Sequence, residues 1–212
     1  MTAYSRTNSK MKRGILWKWE LLIVFKVIGL SMQVEYEFEL EDEEIYSNCS
    51  EVLPGTLNIK GLFDMTNLRT VMTSEGIEMS GNMTCVFNAQ PSDRIELTGS
   101  LFYFDRGIWL PTTLNMVIKD FCHVMFDDKQ LWYRAWSSRI TNRDVIKRDC
   151  IKVQGTLIIM DSYTIKLRFG TGIPLLPTRH ALRVRVFAID LSTGQKRPHD
   201  VCYEIRGNFY KI

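Results

Sequence analysis

Histidine is scarce in this sequence, with only His123, His180 and His199 in 212 residues. The short patterns that carry most enzyme chemistry are missing too. There is no G-x-S-x-G elbow, no H-E-x-x-H, no Walker phosphate loop and no G-x-G-x-x-G. Gly170-Thr171-Gly172 lacks the lysine and following helix of a phosphate cradle and reads as a turn. His123 adjoins Cys122, but successive helix positions point apart, so no thiol–imidazole pair forms locally. None of the cysteines stands in a C-x-x-C, which removes the usual zinc and thioredoxin spacings. An enzyme on this chain would have to assemble carboxylates or histidines across the fold, and none is expected. No apolar run approaches the roughly 20 residues of a membrane-spanning helix. Repeats, low-complexity tracts and Pro/Ser-rich linkers are also absent, as expected of one folded domain.

The charge that is present is unevenly placed. The whole chain carries 27 Lys+Arg against 24 Asp+Glu, a net +3 too small to signal a nucleic-acid partner. Residues 1–33 hold Arg6, Lys10, Lys12, Arg13, Lys18 and Lys26 against Glu20 alone, so the remainder has 21 basic and 23 acidic residues and a net −2. A basic stretch, the apolar Leu21–Phe25 and Val27–Leu30, and small residues at Gly29 and Ser31 make a secretory leader over 1–31, cleaved after Ser31. Met11 is a second possible start. The alternatives are an amphipathic helix of the domain or a signal anchor; Lys18, Glu20 and Lys26 dilute the apolar run of the leader and count more heavily against a membrane-spanning anchor. Secretion agrees with the sequons at Asn48 and Asn82 and with five cysteines, of which four can pair in an oxidising compartment. The fifth thiol is either buried and inert or free for a partner chain.

Residues 32–212 read as one mainly β domain, an antiparallel cup or sandwich. Val34, Tyr36, Phe38 and Leu40 alternate with Glu35, Glu37, Glu39 and Glu41, the period of a half-buried strand. Further strands are expected over 56–63, 69–74, 77–88, 93–104, 151–160, 162–169, 181–190 and 201–209. The continuous run Leu101-Phe102-Tyr103-Phe104 suggests a strand covered on both faces. After Pro111, the spacing of Leu114, Val117, Ile118, Phe121, Val124 and Met125 predicts one amphipathic helix over 113–126. A short second helix is expected over 130–137. Phe102, Phe104, Trp109, Phe121, Phe126, Trp132, Trp136 and Phe169 cluster on these elements; they fit either a packed core or the wall of a hydrophobic cavity.

Several stretches together resemble the CheB family of insect chemosensory proteins: Tyr36–Asp42, Glu44-Ile45 with Cys49, Asp93–Ile95, Phe104–Thr112 (FDRGIWLPT), Asp120–Cys122, Met125–Asp127, and Cys150 with Gly155. That family is in turn similar to the ganglioside-activator branch of the ML-type lipid-recognition proteins. The resemblance covers roughly residues 34–210. It implies a secreted, non-enzymatic β-cup without cofactor or metal that holds a hydrophobic small molecule, a lipid or a cuticular hydrocarbon pheromone. The setting it implies is gustation, with a possible part in courtship. It also implies the bridges Cys49–Cys202 and Cys122–Cys150, leaving Cys85 unpaired. The rival expectation is a secreted protein with a filled core that modulates a chemoreceptor or ion channel through its surface.

Overall fold

A computed structural model describes residues 34–212; the leader expected over 1–31 lies outside the described residues. The described residues form eleven strands and three short α-helices, and the strands make two antiparallel sheets. The larger sheet runs β7 (Ile108–Ile118), β6 (Arg94–Asp105), β10 (Arg179–Ile189), β11 (Val201–Lys211), β1 (Val34–Leu40) and β9 (Leu167–Thr171), with β2 (Ser47–Asn48) also paired to β11. In the smaller sheet β5 (Gly76–Cys85) is central, with β4 (Leu68–Thr73) and β3 (Phe63–Asp64) on one edge and β8 (Leu157–Thr164) on the other. The helices are α1 (Phe121–Val124), α2 (Leu131–Ala135) and α3 (Arg143–Asp149).

Period-two alternation sets what each strand presents. On β10, Leu182, Val184 and Val186 point inward, while Arg179, Arg183, Arg185 and Phe187 point outward. On β11, Tyr203, Ile205 and Phe209 point inward, and Glu204 and Arg206 outward. Between the two sheets Ile77, Met79, Met83, Phe87, Ile158 and Met160 pack into a closed core. Gly207 is required by close approach: a Cβ there would collide with the Glu39 carbonyl of the neighbouring strand.

The expected helix over 113–126 is not formed. Residues 108–118 are edge strand β7, and the helix begins only at Phe121, capped by Asp120, whose carboxylate accepts from His123 N at 3.2 Å. Leu114 and Ile118 are four apart, a spacing that fits both a helix and one face of a strand. The remaining residues decide it: Thr112, Thr113, Val117 and Ile118 are β-branched, and Pro111 is tolerated because β7 is at the sheet edge. Arg106 (φ 47°) and Gly107 (φ 89°) form the two-residue turn that folds β7 back on β6.

The strand expected over 56–63 is also corrected. Within it only Leu57, with Val201, and Phe63, the first residue of β3, with Cys85 are paired; between them Asn58 accepts a bond from Lys60 N and starts a 3-10 turn at Ile59–Gly61. That local side-chain bond competes with strand pairing. The strand expected over 77–88 ends at Cys85, and that over 151–160 begins at Leu157. Helix α3 carries no clear apolar stripe in sequence and was not expected. The short helix over 130–137 is present as α2.

Cys49 is bonded to Cys202 and Cys122 to Cys150. Cys85 is fully buried, its Sγ 3.2 Å from the Ile151 carbonyl, and burial pushes the thiol's pKa up. Of the two alternatives for the fifth cysteine, the structure takes the buried, inert one. The sequon Asn48 is exposed on β2, with its Oδ1 accepting from Asn58 Nδ2, and Asn82 is half-buried on β5.

On the outer face of the larger sheet, Glu204 is completely buried by Arg183, Arg206 and Ser50, with Arg183 Nε 3.0 Å and Arg206 Nη2 2.7 Å from its carboxylate. Burial alone would raise this carboxyl, but the bonds from Arg206, Arg183 and the Ser50 N–H outweigh it and leave the pKa lowered. Asp93, also buried, is held below the ordinary carboxylate value, chiefly by the Arg197 guanidinium. Groups lowered in the folded state stabilise it above their unfolded pKa, near 4. We therefore expect full stability above about pH 5 and a decline as pH falls through the lowered values. Glu204→Gln should cost about 3 kcal/mol at pH 7 and flatten the acid decline, measured by urea unfolding at pH 7 and pH 3.5. An unchanged acid slope would show that this carboxylate is not the titrating group.

Candidate functional site

The larger sheet curls so that both of its edge strands face one space. Leu114 and Met116 of β7, and Leu167 and Phe169 of β9, line the same cavity as Leu182, Val184 and Val186 at the sheet's centre. The open side is closed by Ile59, Leu62 and Phe63 from the 3-10 turn and β3, by Phe121 of α1, and by Leu131, Trp132, Ala135 and Trp136 of and beside α2. The space they surround is about 420 Å³ and remains partly open to solvent, a volume within the usual range for a site that takes a small organic molecule. No Lys, Arg, His, Asp or Glu contributes to its wall.

Two aromatic groups bracket this space. Phe38, Phe169 and Phe209 form one, with Phe38 and Phe209 centroids 4.6 Å apart. Phe121, Trp132 and Trp136 form the other, Phe121 lying 5.4 Å from Trp132 and stacked on Trp136 at 6.5 Å. Helix α2 is tied down because Trp132 Nε1 and Ser137 Oγ both donate to the Met125 carbonyl, at 3.1 and 2.6 Å. Tyr163 donates its hydroxyl to Ala135 O at 2.8 Å from the far side. Gly99 lies under Met116, whose Cε would be 2.6 Å from a Cβ at that position, so the wall is thinned there for the methionine.

Phe121, Trp132, Trp136 and Phe169 therefore line the cavity; Phe102, Phe104, Trp109 and Phe126 do not. On β6 the inward residues are Leu97, Gly99 and Leu101, which turns Phe102 and Phe104 outward. There Phe102 stacks under Arg183 at 4.2 Å, and Phe104 packs on Trp109 at 4.9 Å beneath Arg179. The run Leu101–Phe104 is thus covered on both faces, by the cavity layer within and by guanidinium groups without. Phe126 lies apart beside the Cys122–Cys150 bridge, in contact with Arg143 and Lys147. Phe38, Tyr46, Tyr203 and Phe209 are cavity residues the aromatic clustering left out. For Phe38 the clean alternation of β1 was the available signal.

The three histidines are separated. His180 is buried, with Nδ1 2.7 Å from the Thr178 carbonyl and its pKa lowered by burial. His199 sits by Gly55 O, and His123 is exposed on α1. Among the described residues no three His, Cys, Asp or Glu side chains converge, and no helix is long and apolar enough to cross a membrane.

Fold and site together define an antiparallel β-cup enclosing an uncharged, aromatic-walled cavity. No family model and no curated protein matches the chain.

A hollow and a packed region respond oppositely to added volume. Val184→Phe should leave thermal stability level or raised and abolish binding of a hydrophobic fluorescent probe, because the ring enters open space. Ile158→Phe, in the closed core, should cost about 1–3 kcal/mol. Calorimetry of both variants checks this; equal losses would mean the cup has no usable void.

Proposed function

We propose that this is a secreted, non-enzymatic binding protein that carries a hydrophobic small molecule, a lipid or long-chain hydrocarbon, in chemosensory perception. The observation that carries the binding reading is the cavity of about 420 Å³ with no charged residue in its wall. Each methylene moved from water into such a space contributes about 0.8 kcal/mol, so an alkyl chain needs no charged anchor. Main-chain bonds at Trp132 and Ala135 tie down one aromatic group and ring packing of Phe38 on Phe209 holds the other, which makes the walls firm enough to keep the space open. A filled core acting only through its surface would not need this volume. Extracellular residence is supported by the two disulfides, which persist in oxidising compartments. The gustatory setting rests on the CheB resemblance.

Protein recovered from a eukaryotic secretory host should release hydrophobic molecules on organic extraction and then bind a hydrophobic fluorescent probe in the micromolar range, with quenching of tryptophan emission from Trp132 and Trp136. Delipidated, folded protein that takes up no hydrophobic probe would sink the proposal.

A further inference from the structure

Four tyrosines have side chains in or against the interior, and they divide into two kinds. Tyr36 accepts from Leu175 N at 2.9 Å, and Tyr163 donates to Ala135 O at 2.8 Å. Tyr46 and Tyr203, both in the cavity wall, make no hydrogen bond through their hydroxyls among the described residues. Both residues are half-buried, and a hydroxyl set in an apolar wall without a protein partner is free to bond whatever enters beside it. Neither oxygen is sealed in packed protein: the buried side-chain atoms left without a partner are the Nε atoms of Arg94 and Arg179. The two phenols thus keep open space beside them, and the wall they belong to faces the cavity.

Their placement is built rather than incidental. The rings meet edge to face, centroids 5.5 Å apart at 87°. Tyr203 is on β11, where Asn48 pairs with it, and Tyr46 immediately precedes β2. The Cys49–Cys202 bridge ties the same two segments, one residue from Tyr203 and three from Tyr46. Burial pushes the Tyr46 phenol up to about 12; burial, then the neighbouring Tyr46, pushes Tyr203 higher still. Both remain neutral donors across the physiological range. Of the other polar side chains of the wall, Thr171 Oγ1 donates to Ile173 O at 2.7 Å, Asn115 Nδ2 to Thr113 O at 3.3 Å and Trp132 Nε1 to Met125 O at 3.1 Å, while the indole N–H of Trp136, in the opposite aromatic group, makes no bond among the described residues.

We infer that the Tyr46 and Tyr203 hydroxyls form the polar end of the binding site and select a long-chain ligand bearing a neutral oxygen acceptor, such as an alcohol, ketone or ester, over a plain alkane. The inference rests on the reading of the cavity as a ligand site and adds its specificity. An acceptor oxygen satisfies phenols that an alkane leaves unpaired, and leaving such groups unpaired is where discrimination arises. A carboxylate is disfavoured because no cation lines the wall to neutralise it.

The test is competition of tetradecane, tetradecan-2-one and tetradecanoate against a fluorescent probe, with native mass spectrometry of the complexes. Wild type should hold the ketone about tenfold or more tighter than the alkane, with the carboxylate weakest at pH 8. The Tyr46→Phe/Tyr203→Phe variant should bind the alkane as well as or better than wild type and bring the ketone-to-alkane ratio close to one. Tyr163→Phe, which loses a hydroxyl engaged by the protein, should keep the wild-type ratio. If the double variant is poorly folded, each single variant should lower the ratio severalfold. Equal binding of ketone and alkane by wild type, or a ratio unchanged in the variants, overturns the inference while leaving the cavity as a hydrophobic site. If wild type binds none of the three and no probe, the binding reading falls as well.

Discussion

A void in a protein of this size persists only if its walls cannot fall inward, and here the wall is held from behind. The outer face of β10 and β11 carries the buried Glu204, gripped by Arg183 from one strand and by Arg206 from its own, with Ser50 closing the third side. Those guanidinium groups also lie on the aromatic rings of the same face, Arg183 over Phe102 and Arg206 over Trp109. Hydrogen bonding, charge and ring contact therefore all act on the outside. Because strand side chains alternate, this leaves the inward positions Leu182, Val184, Val186, Ile205 and Phe209 apolar. The uncharged cavity is the other half of the same arrangement.

The two disulfides divide the task. Cys49–Cys202 ties the segment before the 3-10 turn to the central wall strand, and so fixes the part of the wall that carries both unpartnered phenols. Cys122–Cys150 joins α1 to the end of α3 and holds the helical cover as one piece. Cys85, isolated in the closed core with its thiol against the Ile151 carbonyl, takes part in neither.

Much of the framework was legible in the sequence because alternation is a strong signal where one face is wet. The Glu35–Glu41 series marked β1, and Ala181–Val186 marked the centre of β10. Ambiguity entered where two periods coincide, as at Leu114 and Ile118, and where a residue's side was hidden by apolar neighbours on both sides, as at Phe102 and Phe104. An outward phenylalanine covered by arginine looks the same in sequence as an inward one. Tyr46 had no signal at all, because its role depends on a partner 157 residues away, Tyr203, brought close by sheet pairing. Such a site exists only in the folded chain.

Strand β11 follows every other described strand in chain order, yet in the sheet it lies between β10 and β1. A growing chain therefore emerges with the first strand of the wall long before the one that must pair with it. Until β11 arrives, β1 and β10 have open edges and bare apolar faces, the state most exposed to aggregation and to chaperones. Closure couples distant parts of the chain in one late step, which makes assembly slow in proportion to its non-local pairing. On the binding reading proposed above, a molecule entering during synthesis would meet an open trough, whereas one arriving later would meet the finished cup.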